Sequence, residues 1–160
     1  MQRKGDHLYG TPWAVSWETS DIRSYLNNDF YLTFTESERE RIRETKVINS
    51  TYPWTTGGTG KNTDDMIFLL SIQETVKYFG DSGILENRGN KSTISDEFND
   101  MRKAKDSTGV NVRWWLRSSH EKSNRTSFVG NGGVINILNY GNYFVDASLG
   151  VRPALWLKIN

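Results

Sequence analysis

Apolar positions in this chain follow two regimes. Before residue 80 they recur mostly at helical spacing behind polar caps, and after residue 112 they bunch and alternate as strands do. Ile22, Tyr25 and Leu26 form an i, i+3, i+4 stripe behind several capping candidates at 16–21, which predicts a helix over 17–28 with Phe30 packed under its end. Thr35 followed by Glu38 is a capping-box pattern and predicts a second helix. That helix is expected to run through Glu40, Arg41 and Arg43, with Ile42 its one clearly apolar residue, as a solvated element touching the core along a thin line. Residues 46–61 read as a loop. Its Gly57-Gly58-Thr59-Gly60 lacks the Lys-Ser/Thr ending and the preceding apolar strand of a phosphate-binding loop. Met66-Ile67-Phe68-Leu69-Leu70 is short, unbroken and apolar, so a buried strand is predicted there. Ser71 and Glu74 make a second capping box, Ile72, Val76 and Phe79 the apolar side of the following helix, and Gly80 its stop. The polar stretch 81–112 should wander over the surface, with Phe98 and Met101 anchoring at most a helical turn.

The last third, 113–160, carries two bulky blocks, Arg113-Trp114-Trp115-Leu116-Arg117-Ser118-Ser119 and Gly150-Val151-Arg152-Pro153-Ala154-Leu155-Trp156-Leu157. The first predicts a strand. In the second, Leu155, Leu157 and Ile159 alternate with Ala154, Trp156 and Lys158, a period of two. Between the blocks, 123–149 is rich in Asn, Gly, Ser and Tyr. Ser127-Phe128-Val129, Asn131-Gly132-Gly133 and Val134-Ile135-Asn136-Ile137 read as a hairpin, and Tyr140-Gly141-Asn142-Tyr143 as a second turn leading to Phe144-Val145. The two blocks are expected to build a core and the segment between them to display a surface. Helices early and strands late predict an α+β domain rather than alternating βαβ units.

Length fits one domain over 1–160, with 1–15, punctuated by Gly10-Thr11-Pro12, as an extended lead-in. At 12% aromatic residues, the chain has bulky side chains enough to fold without staples. A formal charge of +1, with acids and bases mixed, argues against nucleic acid as the main partner. No apolar run approaches the ~20 residues of a membrane span, and Met1 to His7 is not followed by the apolar stretch of a secretory signal. The chain has no cysteine, so disulfides, thiolate metal sites and cysteine nucleophiles are all absent.

Trp114-Trp115-Leu116-Arg117-Ser118, followed some thirty residues on by Gly150-Val151-Arg152-Pro153-Ala154-Leu155, resembles a widespread bacterial and phage domain of unknown function. Trp17 to Asn27 and Asp65 to Ser71 match the same pattern, so the likeness spans roughly 17–157. The family is similar to the C-type-lectin fold, in the branch shared with formylglycine-generating enzymes and with the variable proteins of diversity-generating retroelements. The resemblance implies two main helices with small twisted antiparallel sheets, and a ligand-facing surface between the Trp-Trp and Gly-Val-Arg-Pro blocks. One departure is that the family usually carries a further strand-rich segment ahead of the Trp17 block, where this chain is short and polar. In retroelement-diversified relatives, adenine mutagenesis of Asn codons cannot yield Lys, Glu, Gln, Met or Trp. Residues 123–155 contain none of those five, while Glu121 and Lys122 mark where a variable stretch would begin. Hairpins rich in Gly and Asn tend to lack them for other reasons.

The residues themselves point the same way. Tyr supplies rigid amphipathic area while Ser, Gly and Asn supply adaptable hydrogen bonds, the mixture of antibody loops. Asn124, Arg125, Asn136, Asn139, Tyr140, Asn142, Tyr143 and Asp146 are therefore the candidate ligand-binding residues. The competing reading, that they are ordinary turn and hairpin residues, stands beside it. Catalysis of the formylglycine-generating kind depends on cysteine and does not carry over. His7 and His120 have no ligand partners at metal spacing, His120-Glu121 reads as a solvated loop pair, and the carboxylate groups Asp64-Asp65 and Asp96-Glu97-Asp100 lack the sugar-lectin calcium patterns. Arg117 and Arg152 are expected to hold carbonyls or carboxylates inside the fold. The expectation is a non-enzymatic binding domain with no metal or cofactor, carried on a phage virion or bacterial cell surface. Its ligand would be a protein or glycan on a cell or phage surface. The alternatives are a structural or homo-oligomerising module of a larger surface protein and, behind it, a formylglycine-generating-enzyme-like enzyme.

Overall fold

The computed structural model describes residues 16–49, 60–87, 89, 91–119, 126–137 and 148–159. The first helical stretch opens with a 3₁₀ turn, Trp17–Thr19, and continues as α1 (Asp21–Tyr25), capped by the Ser20 hydroxyl, which accepts from the Arg23 N–H at 3.3 Å. A π turn, Leu26–Phe30, and a 3₁₀ turn, Tyr31–Thr33, carry it further than the stripe predicted. Ile22 and Leu26 are buried as expected, and Phe30 packs against the core, with its ring edge-on to Phe34 at 5.5 Å.

Both capping boxes form. Thr35 caps α2 (Glu36–Arg41), and Ser71 caps α3 (Ile72–Phe79), with Glu38 and Glu74 closing back onto the cap N–H groups. Such caps contribute about 1 kcal/mol each by satisfying donors that the first helical turn leaves open. Helix α2 does not run through Arg43. It ends at Arg41, and Ile42–Arg43 turns into strand β1, buried at Ile42 and paired antiparallel with Leu157 and Trp156. A lone apolar residue after a charged helix is cheaper to bury from a strand than by rolling the charged face inward.

The loop over 46–61 begins later than predicted, because Thr45–Val47 forms β2 against β3 (Thr63–Asp65). Ile67, Phe68, Leu69 and Leu70 are buried as predicted, yet they form no regular ladder. Their backbone groups are met by other means. The Asn27 side chain takes the N–H groups of Met66 and Ile67 and donates to the Ile67 carbonyl. Phe68 exchanges two backbone bonds with Ala154, the Leu70 carbonyl takes the Arg117 N–H, and the Leu69 carbonyl takes the Arg117 guanidinium. Buried backbone must be paired, and here side chains replace part of a neighbouring strand.

Residues 81–112 are more ordered than a surface wander. They hold β4 (Thr93–Ile94), α4 (Asn99–Arg102), β5 (Ala104–Lys105) and β6 (Asn111–Val112). Phe98 is half-buried with its ring against Gly80, but Met101 is exposed. Gly80 is required where α3 stops, at φ +122°, because a side chain there would run into the Phe98 ring.

The largest sheet has the order β4-β9-β8-β7, with β7 (Trp114–Ser119), β8 (Thr126–Val129) and β9 (Ile135–Asn136). The predicted hairpin joins β8 to β9. Gly130 and Val134 close its tip at 2.8 Å, and Gly133 sits at φ +86° with its Cα facing the Asn99 carbonyl. Trp114, Trp115 and Leu116 are fully buried, and so is every residue of β8, which lies between two neighbours.

The division of labour expected of the last third is therefore partly reversed. The segment between the two blocks supplies Phe128, Val129, Ile135 and Ile137 to the core. At the far end of the second block the period of two buries neither face. Strand β10 (Trp156–Leu157) pairs only with β1, leaving Trp156 46%, Leu157 49% and Ile159 97% exposed. Alternation buries a face only when something packs on it, and among the described residues Trp156 and Leu157 are only half covered. The architecture is α+β, short helices with small antiparallel sheets.

Candidate ligand-binding surface

Seven of the eight predicted site residues, Asn124, Arg125, Asn139, Tyr140, Asn142, Tyr143 and Asp146, lie outside the described residues, as does the predicted turn at 140–143. Their attachment points are described. Ser119 pairs with Thr126 across the β7–β8 ladder, so residues 120–125 connect the two strands at that end. Strand β9 runs from Ile135, opposite Val129, to Asn136, opposite Phe128, and Ile137 continues toward the same end. The chain therefore departs toward residues 120–125 and 138–147 from one end of one sheet, while the described hairpin tip lies at the other.

Asn136, the eighth residue, is half-buried between β8 and β4, and its amide donates to the Val134 carbonyl at 3.0 Å. That bond steadies the hairpin. Asn136 supports the sheet more than it presents itself.

The end of the sheet that carries these connections is fixed by Arg117, 3% exposed at its side chain. Its guanidinium pairs with both oxygens of Glu74, with Nη2 to Oε1 at 2.9 Å. It also donates to the Leu69 carbonyl at 2.7 Å, the Ile48 carbonyl at 3.2 Å and the Asn49 side chain at 3.2 Å. Asn49 in turn donates its side-chain amide to the Lys61 carbonyl and its backbone N–H to the Asn62 side-chain oxygen, tying the residues on either side of 50–59 together. Beside it, the Ser118 hydroxyl accepts the Ile72 N–H at 3.0 Å, and Thr126 donates to the β7 carbonyls. Burial pushes the Glu74 carboxyl up, but Arg117 and the Ser71 cap outweigh it and hold the group below its ordinary value. The expectation that Arg117 serves the fold is met in full, and the planar five-donor group is what lets one side chain tie four segments.

Two of the carboxylates considered as ligands or acids, Asp65 and Asp96, are structural. Asp65 accepts the Trp17 indole N–H at 2.8 Å, Arg23 at 2.6 Å and the Thr63 hydroxyl at 2.7 Å. Asp96 takes both Arg102 nitrogens at 2.8 and 3.0 Å together with the Ser82 hydroxyl and the Phe98 N–H. Burial of Asp96 is again outweighed, by these donors and the Arg102 charge, and its carboxyl lies below the usual range. Asp64 is exposed, and among the described residues the Asp100 carboxylate meets Lys103, at the surface. Among the described residues no three His, Cys, Asp or Glu side chains are grouped so as to hold a metal ion. His7, His120 and Glu121 lie outside the described residues.

Sequence reasoning missed Asn27, Arg23 and Arg102. The signal available for Arg102 was faint, since its partner Asp96 lies six residues away and across a turn. For Asn27 and Arg23 the partners lie about forty residues on, and local pattern does not reach so far.

A family model described as a domain of unknown function, DUF6273, matches residues 10–159. The chain belongs to that family. The DUF6273 match covers all of the framework above, from the Trp17 turn to β10. No curated protein and no solved structure matches the chain. Among the described residues, no helix is long and apolar enough to cross a membrane.

Proposed function

We propose that this DUF6273 domain is a non-enzymatic recognition domain of C-type-lectin-like fold, whose ligand-facing surface is carried by residues 120–125 and 138–147. The observation that carries this reading is the shared exit. The chain leaves β7 at Ser119, re-enters β8 at Thr126 and leaves β9 after Ile137 at the same end of one sheet. The second segment is rich in Asn and Tyr and the first carries Ser123, Asn124 and Arg125, and polar or aromatic loops set on a rigid base are how recognition surfaces are built. The Arg117 network supports the rigidity of that base. The partner is a protein or glycan on a cell or phage surface, bound through Tyr anchors and Asn hydrogen bonds. The domain is displayed on a phage virion or bacterial surface and diversified over 123–155 by a retroelement. Among the described residues, the buried or half-buried carboxylates Asp65, Glu74 and Asp96 are occupied by structural partners, which supports the non-enzymatic reading.

The test is binding of the full chain to arrays of surface glycans and to intact bacterial cells, beside a variant with Asn139, Tyr140, Asn142 and Tyr143 all changed to Ala. We expect at least a tenfold loss of binding with an unchanged thermal melt. Undiminished binding by the variant rules this surface out. Diversification has its own check, a near-copy of the coding segment for 123–155 differing only at adenines and lying beside a reverse transcriptase gene.

A second reading, an assembly module, draws on the exposed Trp156, Leu157 and Ile159. Light scattering across a concentration series decides it. A dimer or larger oligomer that Leu157→Glu returns to monomer favours assembly.

A further inference from the structure

A cleft of about 290 Å³ lies between α3 and the 152–156 segment, lined by Phe68, Leu70, Tyr78, Phe79, Trp156 and Arg152 with the intervening backbone. Its lining includes none of the residues of the surface proposed above. Its walls are aromatic, and Tyr78 and Trp156 face each other edge-on at 6.1 Å and are both about half exposed. Arg152 is the one charged residue in the lining. Its guanidinium lies 4.6 Å from the Phe79 ring centre and 5.1 Å from that of Trp114.

What sets this arginine apart is its partners. Arg23, Arg102 and Arg117 each meet a carboxylate, at 2.6, 2.8 and 2.9 Å. Arg152 meets none among the described residues, and the only hydrogen bond it makes there is a long one, 3.4 Å, from Nη1 to the Arg102 carbonyl. Burial pushes the Arg152 guanidinium below its ordinary value, and no carboxylate among the described residues offsets that cost. A half-buried cation set against two rings, with donors to spare at the wall of an apolar cleft, is pre-organised for a planar anion. Two further cations neighbour the walls, Lys77 5.6 Å from the Tyr78 ring centre and Arg43 as the cross-strand partner of Trp156.

We propose that this cleft binds a small aromatic carboxylate. The Arg152 guanidinium takes the carboxylate in place of its long bond to the Arg102 carbonyl, and Tyr78, Phe79 and Trp156 enclose the ring. The volume, at the lower end of ligand clefts, suits a single ring-bearing acid, whether free or as the last residue of a peptide.

The experiment is a titration of the full, isotopically labelled chain with phenylacetate, read at the Trp indole N–H signals. Saturable shifts of the Trp156 and Trp114 signals are expected, with phenylacetamide and acetate each at least tenfold weaker. Arg152→Met should lower phenylacetate affinity at least tenfold while keeping the melting temperature. Trp156→Ala, at an exposed wall, gives an independent loss that does not depend on how well the arginine variant folds. A dipeptide ending in a free phenylalanine carboxylate that binds better than phenylacetate assigns the site to chain termini, and the reverse order assigns it to free acids. Equal binding of phenylacetate and phenylacetamide, or no saturable shift with phenylacetate and the dipeptide alike, overturns the proposal.

Discussion

Arg117 and Arg152 sit in the two blocks that frame the last third of the chain, and they have opposite surroundings. Arg117 is enclosed by a carboxylate, two backbone carbonyls and an amide, and it joins β7, α3, the 69–70 segment and the end of β2. Arg152 has two aromatic rings, one long hydrogen bond and an open cleft. The lesson is that a buried charge with all its donors used is architecture, whereas a desolvated charge with donors to spare leaves a cost that a ligand can offset.

The comparison can be broken most forcefully at Asp96, the partner of the wholly buried Arg102. Asp96→Ala leaves that guanidinium uncompensated in the interior, and a loss of about 4 kcal/mol is expected in urea unfolding. A loss under 1 kcal/mol would mean that paired arginines are not what holds this core.

Next comes Arg117→Met, which orphans the Leu69 and Ile48 carbonyls as well as Glu74. Because Glu74 keeps 27% of its side-chain exposure, water recovers part of the charge, and about 3 kcal/mol is expected by the same measurement.

Acid sharpens the contrast without mutation. Glu74 and Asp96 have carboxyls held below their ordinary values. The unfolded chain therefore binds more protons than the folded one just below pH ~4.5, and stability falls as pH falls from there through the lower folded values. Melting temperature measured from pH 6 downward should show this decline, and Glu74→Gln should flatten part of it.

Arg152→Met gives the smallest effect. Stacking is lost, but so is the desolvation cost, so stability should stay within about 1 kcal/mol of the parent. A loss as large as that of Arg117→Met would make Arg152 another structural arginine and erase the distinction.

Sequence pattern reached what is decided within a few residues. Both capping boxes, the hairpin at 127–137 and the burial of Trp114 to Leu116 were legible, because a cap, a turn and a bulky run need only near neighbours. The run 66–70 shows where that reach stops. Its burial followed from composition, but its partners, Asn27, Ala154 and Arg117, come from three distant parts of the chain. The candidate surface was legible as a composition and, through Ser119, Thr126 and Ile137, gained a common base only from sheet register. Ile42 is buried as expected, but from a strand rather than from the helix. The alternation near the chain end misled because it is compatible with burial, and whether a face is covered depends on what packs there.

By itself, then, the sequence determined the α+β character, the two capped helices, the hairpin and the want of cysteine chemistry. Only the tertiary structure decided which arginines are paired, that β8 belongs to the core, and that β10 ends as an exposed edge. Local rules act through backbone geometry within a turn or two, whereas ion pairs, strand order and burial depend on which distant segments share a surface.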